Sequence, residues 1–284
     1  MSGIGIVTDT VGCIPAEFAR EHDIRLAPVG LVIDGKQYRD TEITNDEFWR
    51  IFHAAKEPPS TTGVGVEDFY SKFIELAKDK DTIICFVLSE ALSATHEAAV
   101  QARQRALEEL PNLRIEIFDT ETATGAEGFI IMEAARALRA GKSLDETLQI
   151  AGDMVPKVKW LMGLETLKYL VRIGRVPKVA MVGEYLNIKP IIGMVSGRKV
   201  IDNLSRAMGK QKAMEKVVSM MADYADTSKP LHVNVHYTDN IAEGEKLLDM
   251  IASRYNCVET YLTPFTAVMC IATGPVLTVA FYAD

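Results

Sequence analysis

The chain opens on a short apolar run, Gly3-Ile-Gly-Ile-Val-Thr8, that ends in the polar triplet Thr8-Asp9-Thr10. That is the pattern of a buried strand running into its loop. Two more such runs lie at 82–88 (Thr-Ile-Ile-Cys-Phe-Val-Leu) and 113–118 (Leu-Arg-Ile-Glu-Ile-Phe). Between and after them, apolar spacing predicts helices over 15–22, 45–55, 67–79, 94–109 and 125–140. Strands alternating with helices of this length predict a mostly parallel sheet flanked by helices. Ligand sites in such sheets gather at the carboxyl ends of the strands.

Past Ala140 the pattern changes. Gly141 closes one helix, and Ser143 or Asp145 caps the next. Segment 144–157 then leads into Trp160-Leu-Met-Gly-Leu164, a strand-like run that opens a second domain. Short helices are expected near 165–172 and 178–186, and strand pieces near 188–195 and 198–201. A helix over 207–224, a strand over 231–236, a helix over 240–253 and terminal strands follow. Thr260 to Ala283 carries no charge, but Pro264, Gly274 and Pro275 interrupt it, which suits a pair of buried strands better than a membrane helix. The expected fold class is α/β in two domains: 1–155 with the mostly parallel sheet and flanking helices, and 156–284 as a smaller α/β domain.

The 284 residues are 48% hydrophobic and 25% charged, a globular balance that excludes disorder. With 31 Lys and Arg against 39 Asp and Glu, the net charge of −8 excludes a whole-surface nucleic-acid binder. Residues 157–216 run against that trend, with 13 basic residues and 4 acidic ones. They form either solvated helix faces or a docking face for an acidic partner or phosphorylated ligand. Cysteines at 13, 85, 257 and 270 have neither zinc nor redox spacing. The amino terminus reads as neither a secretory signal nor a myristoylation site, so a cytoplasmic protein without stable membrane insertion is expected.

Two hydroxyl clusters each precede a helix: Pro59-Ser60-Thr61-Thr62-Gly63-Val64-Gly65, and Ser89-Glu90-Ala91-Leu92-Ser93-Ala94-Thr95 after the strand at 82–88. Such hydroxyls cap helices, and a strand end, a hydroxyl and a helix N-terminus together also suit an anion. No Gly-rich phosphate loop stands at a strand–helix junction, and no G-x-S-x-G elbow occurs. Hydroxyls without a base or metal donate hydrogen bonds but are not readily activated. The pattern therefore points to capture of a carboxylate, with no catalytic residue, metal ligand or cofactor expected. The rival reading is a serine-dependent lipid or ester hydrolase using Ser93 or Ser89. Among other features, His232 and His236 fall on one strand and stand too far apart to share a metal, and Asp9 suits a turn-forming role. Met208, Met214, Met220 and Met221 fall within one predicted helix.

At these residues the chain resembles the DegV family of bacterial lipid-binding proteins over nearly its whole length. Thr8-Asp9-Thr10 is similar to the family's opening Thr-Asp-Ser, and Ile33 to Asp40 follows as a hairpin-like stretch. Thr61-Thr62 falls on its Thr-Ser element, Leu92-Ser93-Ala94-Thr95 on Leu-Ser-Gly-Thr, and Ile117-Phe118-Asp119-Thr120 on Val-Asp-Ser. Leu167-Lys-Tyr-Leu170 to Gly174-Arg-Val176 resembles Leu-x-Tyr-Leu…Gly-Gly-Arg-Ile, and Leu186 to Ile191 matches Leu-Asn-Ile-Lys-Pro-Ile.

The resemblance implies a long-chain fatty acid buried between the domains, its carboxylate held by Thr62 and Ser93, with Thr61, Ser89 and Thr95 as accessory pocket residues. It further implies presentation of the acid to an ATP-dependent fatty-acid kinase subunit, with the acyl phosphate passing to phospholipid synthesis. Arg175 and Arg206 would then face the kinase or the developing phosphate. A carrier of another amphiphile, working without a kinase, is the alternative. Ala272 stands where family members often carry a His, Gly63-Val64-Gly65 replaces Gln-Pro-Ser, and Ala94 replaces a glycine.

Overall fold

The computed structural model describes residues 3–177, 187–195, 197 and 199–284. Its first half runs β1 (Ile4–Asp9), α1 (Ala16–Glu21), β2 (Arg25–Ala27), β3 (Val29–Ile33), β4 (Lys36–Arg39), α2 (Asn45–Ala54) and β5 (Ser60–Val64). Then come α3 (Val66–Leu76), β6 (Thr82–Val87), α4 (Thr95–Glu109), β7 (Arg114–Asp119), α5 (Thr124–Arg139) and α6 (Leu144–Met154). The three apolar runs become β1, β6 and β7, which join β2 in an all-parallel sheet of order β2-β1-β6-β7. Helices α3 and α4 pack against it. A separate antiparallel sheet, β4-β3-β5, lies beside it. Its β3–β4 hairpin turns through Asp34 and Gly35, both left-handed at φ +47° and +75°, the geometry a two-residue turn requires.

The second half is β8 (Lys159–Leu164), α7 (Lys168–Arg172), β9 (Ile188–Met194), β10 (Asp202–Met208), α8 (Lys210–Met220), β11 (Leu231–Tyr237), α9 (Ile241–Ala252), β12 (Cys257–Pro264), α10 (Ala267–Thr273) and β13 (Val276–Ala283). Six of these strands form one sheet of order β10-β9-β8-β13-β11-β12, antiparallel except for the β11–β12 pairing. Helix α5 lies against β8, β11 and β13 of this sheet. Twelve of its sixteen residues are buried, as a helix enclosed on all sides requires. One hydrophobic core consequently runs from the parallel sheet through α5 to β8 and α10.

Several expectations shift. The helix expected over 178–186 lies outside the described residues. The strand expected at 198–201 begins at Asp202, where β10 pairs with β9. Gly209, at φ +78°, ends that strand before α8, so Met208 belongs to β10 and is 56% exposed. The uncharged stretch 260–283 holds the helix α10 between its two strands. Residues 60–64 form an edge strand where a loop was expected. On β11, His232 contacts Glu259 and Asp284 at 2.8 and 2.9 Å, and His236 contacts Thr263 at 2.7 Å.

Candidate functional site

Strand β5 decides which hydroxyls meet the interior. It pairs with β3 as Gly30–Gly63 and Leu31–Thr61, leaving Thr62 as the extra residue of a bulge. The Thr62 hydroxyl stands directly over the Gly30 backbone, where a β-carbon would collide with it. Thr62 is exposed and lines a surface groove with Arg39 and Asp68. Thr61, also exposed, and Gly63 instead line the mouth of a cavity of about 110 Å³.

The carboxyl ends of the parallel strands frame this cavity through Val11, Leu88 and Ala123. Across from them it is closed by Trp160 and Met162 of β8, Ile192 of β9, and Leu170 of α7. Val268, Ile271 and Ala272 of α10 complete the apolar wall. Polar groups are few: Thr61, Ser93, Thr95, Thr124, Thr273 and Arg175. Ser93 Oγ lies 2.9 Å from Thr95 Oγ1 and accepts the Thr95 N–H at 3.3 Å. The Thr273 hydroxyl is bonded to the carbonyls of Met269 and Gly274 at 3.0 and 2.9 Å. The exposed Arg175 donates to the Ile173 carbonyl at 3.1 Å.

Two carboxyls, the buried Asp9 and the half-buried Asp40, fix the backbone of the wall. Asp9 accepts the N–H groups of Val11 at 2.8 Å and Leu88 at 3.1 Å. Burial pushes its pKa up to about 6 although both N–H groups favour the charged form. Asp40 accepts the Val29 N–H at 2.9 Å and the Thr10 hydroxyl, and burial pushes it up to about 7. Val11, Leu88 and Val29 all line the cavity, so Asp9 has the turn-forming role expected of it and positions the pocket as well. On the other side, the Arg172 guanidinium donates to the carbonyls of Pro59 at 2.9 Å and Ile271 at 3.3 Å. It thereby ties α7 to the approach to β5 and to α10.

Of the residues singled out in the sequence, Thr61, Ser93, Thr95 and Arg175 thus meet at one cavity, and Ala272 joins them. Thr62 does not reach it; successive residues of β5 face opposite sides, so the exposed Thr61 and Gly63 line the cavity while Thr62 lines the groove. Ser89 is fully buried beyond β6, its hydroxyl without a partner and outside the cavity lining. Arg206 lies on β10 opposite Pro190, also outside that lining. Thr124, a further hydroxyl at this cavity, carries the same local signal as Ser93, standing just ahead of a predicted helix.

Residues 3–284 match the family model described as "Uncharacterised protein, DegV family". The chain belongs to the DegV family. A DegV domain-containing protein of Streptococcus pyogenes serotype M1 is 30% identical over 275 residues, covering 95% of this chain and 94% of that protein. Among solved structures, DegV from Bacillus subtilis, described as a fatty acid binding protein, is 25% identical with a TM-score of 0.86 and full coverage of both chains. A DegV family protein from Thermus thermophilus, whose structure is described as showing fatty acid binding, is 26% identical with a TM-score of 0.83, covering 99% of this chain and all of that one. A stearic acid-binding protein from Eubacterium ventriosum shares the fold at a TM-score of 0.90, with 23% identity over 100% of this chain and 98% of its own. The α/β architecture expected from the sequence is therefore that of DegV proteins. Among the described residues, no helix is long and apolar enough to cross a membrane.

Proposed function

We propose that this chain binds a long-chain fatty acid in the cavity where the parallel sheet, the β4-β3-β5 sheet and the six-stranded sheet meet. The Ser93 and Thr61 hydroxyls hold the carboxylate, and the tail lies against the apolar wall of β8, α7 and α10. The observation that carries this reading is the grouping of uncharged hydroxyls in an otherwise apolar cavity at the carboxyl ends of β1, β6 and β7. Each apolar CH₂ removed from water contributes about 0.8 kcal/mol, so the tail supplies most of the affinity and the hydroxyls set head-group choice. Ser93 pairs with another hydroxyl and not with a base, which favours holding an acid over attacking an ester. The fatty-acid-binding DegV relatives support the same ligand class.

On this reading the protein is a non-catalytic cytoplasmic carrier subunit. It presents the acid to an ATP-dependent fatty-acid kinase subunit that forms the acyl phosphate. The exposed, cavity-lining Arg175 supports a partner-facing rim, and the basic character of segment 157–216 agrees with it. The test is mass spectrometry of lipid extracted from the purified protein, followed by titration of the delipidated protein with hexadecanoic acid. Recovery of a C16–C18 acyl chain (roughly the length whose burial at ~0.8 kcal/mol per CH₂ gives tight binding) is the expected result. Absence of any acyl chain together with no uptake on titration overturns the reading.

A further inference from the structure

Helix α5 begins at the cavity with no side-chain cap: Ala123 enters it in an extended conformation, and both Ala123 and Thr124 line the cavity. Thr124 is completely buried, yet its Oγ1 has no hydrogen-bond partner in the protein. Leaving a buried hydroxyl unpaired is costly, so such a group calls for a reason. Its backbone is left-handed at φ +61°, a conformation β-branched residues avoid. The next residue, Gly125, sits so close under the His236 ring that a β-carbon there would strike Nε2. The start of α5 is therefore wedged against β11, and Thr124 stays at the cavity wall.

An ionised carboxylate offers about four acceptor positions. Ser93 and Thr61 each supply one hydroxyl proton, leaving part of that capacity unused. A sixteen-residue helix also presents its free N–H groups and the positive end of its dipole at its N-terminus. We propose that Thr124 and the N-terminus of α5 are a further donor group for the acidic head of the bound ligand. This rests on the fatty-acid reading above and adds to it a second helix terminus beside that of α4. The ligand class follows: an anionic oxygen head is favoured over an alcohol or ester of the same chain length.

The test compares Thr124→Val, which keeps the shape and removes the hydroxyl, with Thr124→Ser, which keeps the hydroxyl. Affinities of delipidated wild type and both variants are measured for hexadecanoic acid and for hexadecan-1-ol, with thermal unfolding of the ligand-free proteins alongside. Thr124→Val is expected to bind the acid roughly ten- to a hundredfold more weakly. Its affinity for the alcohol stays at the wild-type value and its ligand-free Tm rises, because an unpaired buried hydroxyl is gone. Thr124→Ser retains the preference for the acid. If Thr124→Val does not fold, Thr124→Ala gives the same readout. Unchanged acid affinity in Thr124→Val, or equal weakening of acid and alcohol, overturns the role of Thr124 alone. A wild type that binds neither compound overturns the fatty-acid reading and this inference with it.

Discussion

Ser93 Oγ lies 2.9 Å from Thr95 Oγ1 and 3.3 Å from the Thr95 backbone nitrogen. The Thr95 N–H donates to Ser93 Oγ; with the Thr95 hydroxyl donating as well, the Ser93 proton is left for a different acceptor. A carboxylate is that acceptor in the proposed complex. Ser93→Ala is accordingly expected to weaken binding of hexadecanoic acid roughly tenfold to a hundredfold, the worth of one charge-assisted hydrogen bond. Its melting temperature should stay near that of wild type, since Ser93 is only partly buried. Isothermal titration and thermal unfolding check the two halves. A fluorophosphonate probe should leave Ser93 unlabelled; time-dependent labelling lost in Ser93→Ala would restore the hydrolase reading.

The β5 bulge separates two adjacent threonines. Thr61 faces the cavity, whereas Thr62 faces the Arg39–Asp68 groove. Thr61→Val should weaken fatty-acid retention about as much as Ser93→Ala does. Thr62→Val, equally isosteric, should leave it within about twofold, because loss of a hydrogen bond outside the site changes nothing the ligand touches. Comparing acyl occupancy of the two variants after identical delipidation and reloading measures this. Equal loss in both would mean that the strand presents the other face to the ligand.

These two residues also mark how far the sequence was legible. Strands β1 and β6 and the β6–α4 junction stood out because apolar runs, a hydroxyl and a helical period follow one another locally in the chain. Residues Ser60 to Val64 have no such alternation; they are a strand because β3 offers them a partner, and the bulge at Thr62 exists only in that pairing. Pairing of this kind is invisible to a local pattern. Helix α10 was hidden for a related reason. The stretch from Thr260 to Ala283 is uncharged throughout, so neither a polar face nor a change of period separates the helix from the strands beside it. The cavity wall from Trp160, Ile192 and Ile271 likewise comes from three elements that meet only in the fold.

Asp40 links the pocket to pH. Its carboxyl holds the Val29 N–H and the Thr10 hydroxyl, and burial raises its pKa from 3.8 to about 7. In the folded protein it therefore keeps its proton up to near neutrality, while in the unfolded chain it ionises near pH 4. Its contribution to stability is fully present below about pH 4 and is lost as pH rises towards about 7. The buried Asp9, raised to about 6, acts in the same direction over a narrower range, and His236, lowered to about 3, acts oppositely. Isolating the first term requires a comparison. The stability of wild type relative to Asp40→Asn should improve between pH 8 and pH 5, since Asn has no proton to take up. Urea unfolding at the two pH values reads the difference; a gap between the proteins that does not move with pH would refute the linkage.

The size of the cavity sets the last expectation. At about 110 Å³ it is of the order of the ~150 Å³ cavity that holds a benzene ring, and a tail of some sixteen carbons needs more room than that. Full burial of such a tail is therefore expected to part the walls. Arg172 is the tie to loosen: one guanidinium spans the Pro59 and Ile271 carbonyls and so joins α7, the approach to β5 and α10. Packing of Tyr169 under Gly274, where a β-carbon would strike the ring, holds the same two helices together from within. Arg172→Ala removes the tie while leaving the hydroxyls and the apolar wall in place. It should speed transfer of a fluorescent fatty acid from protein to acceptor vesicles severalfold, with a smaller change in equilibrium affinity, because both uptake and release cross the same opening step. Arg172→Lys, whose ammonium ends one bond short of the Nη2 that makes both bonds, should resemble Ala in this assay. Exchange rates unchanged in both variants would place the opening elsewhere in the wall.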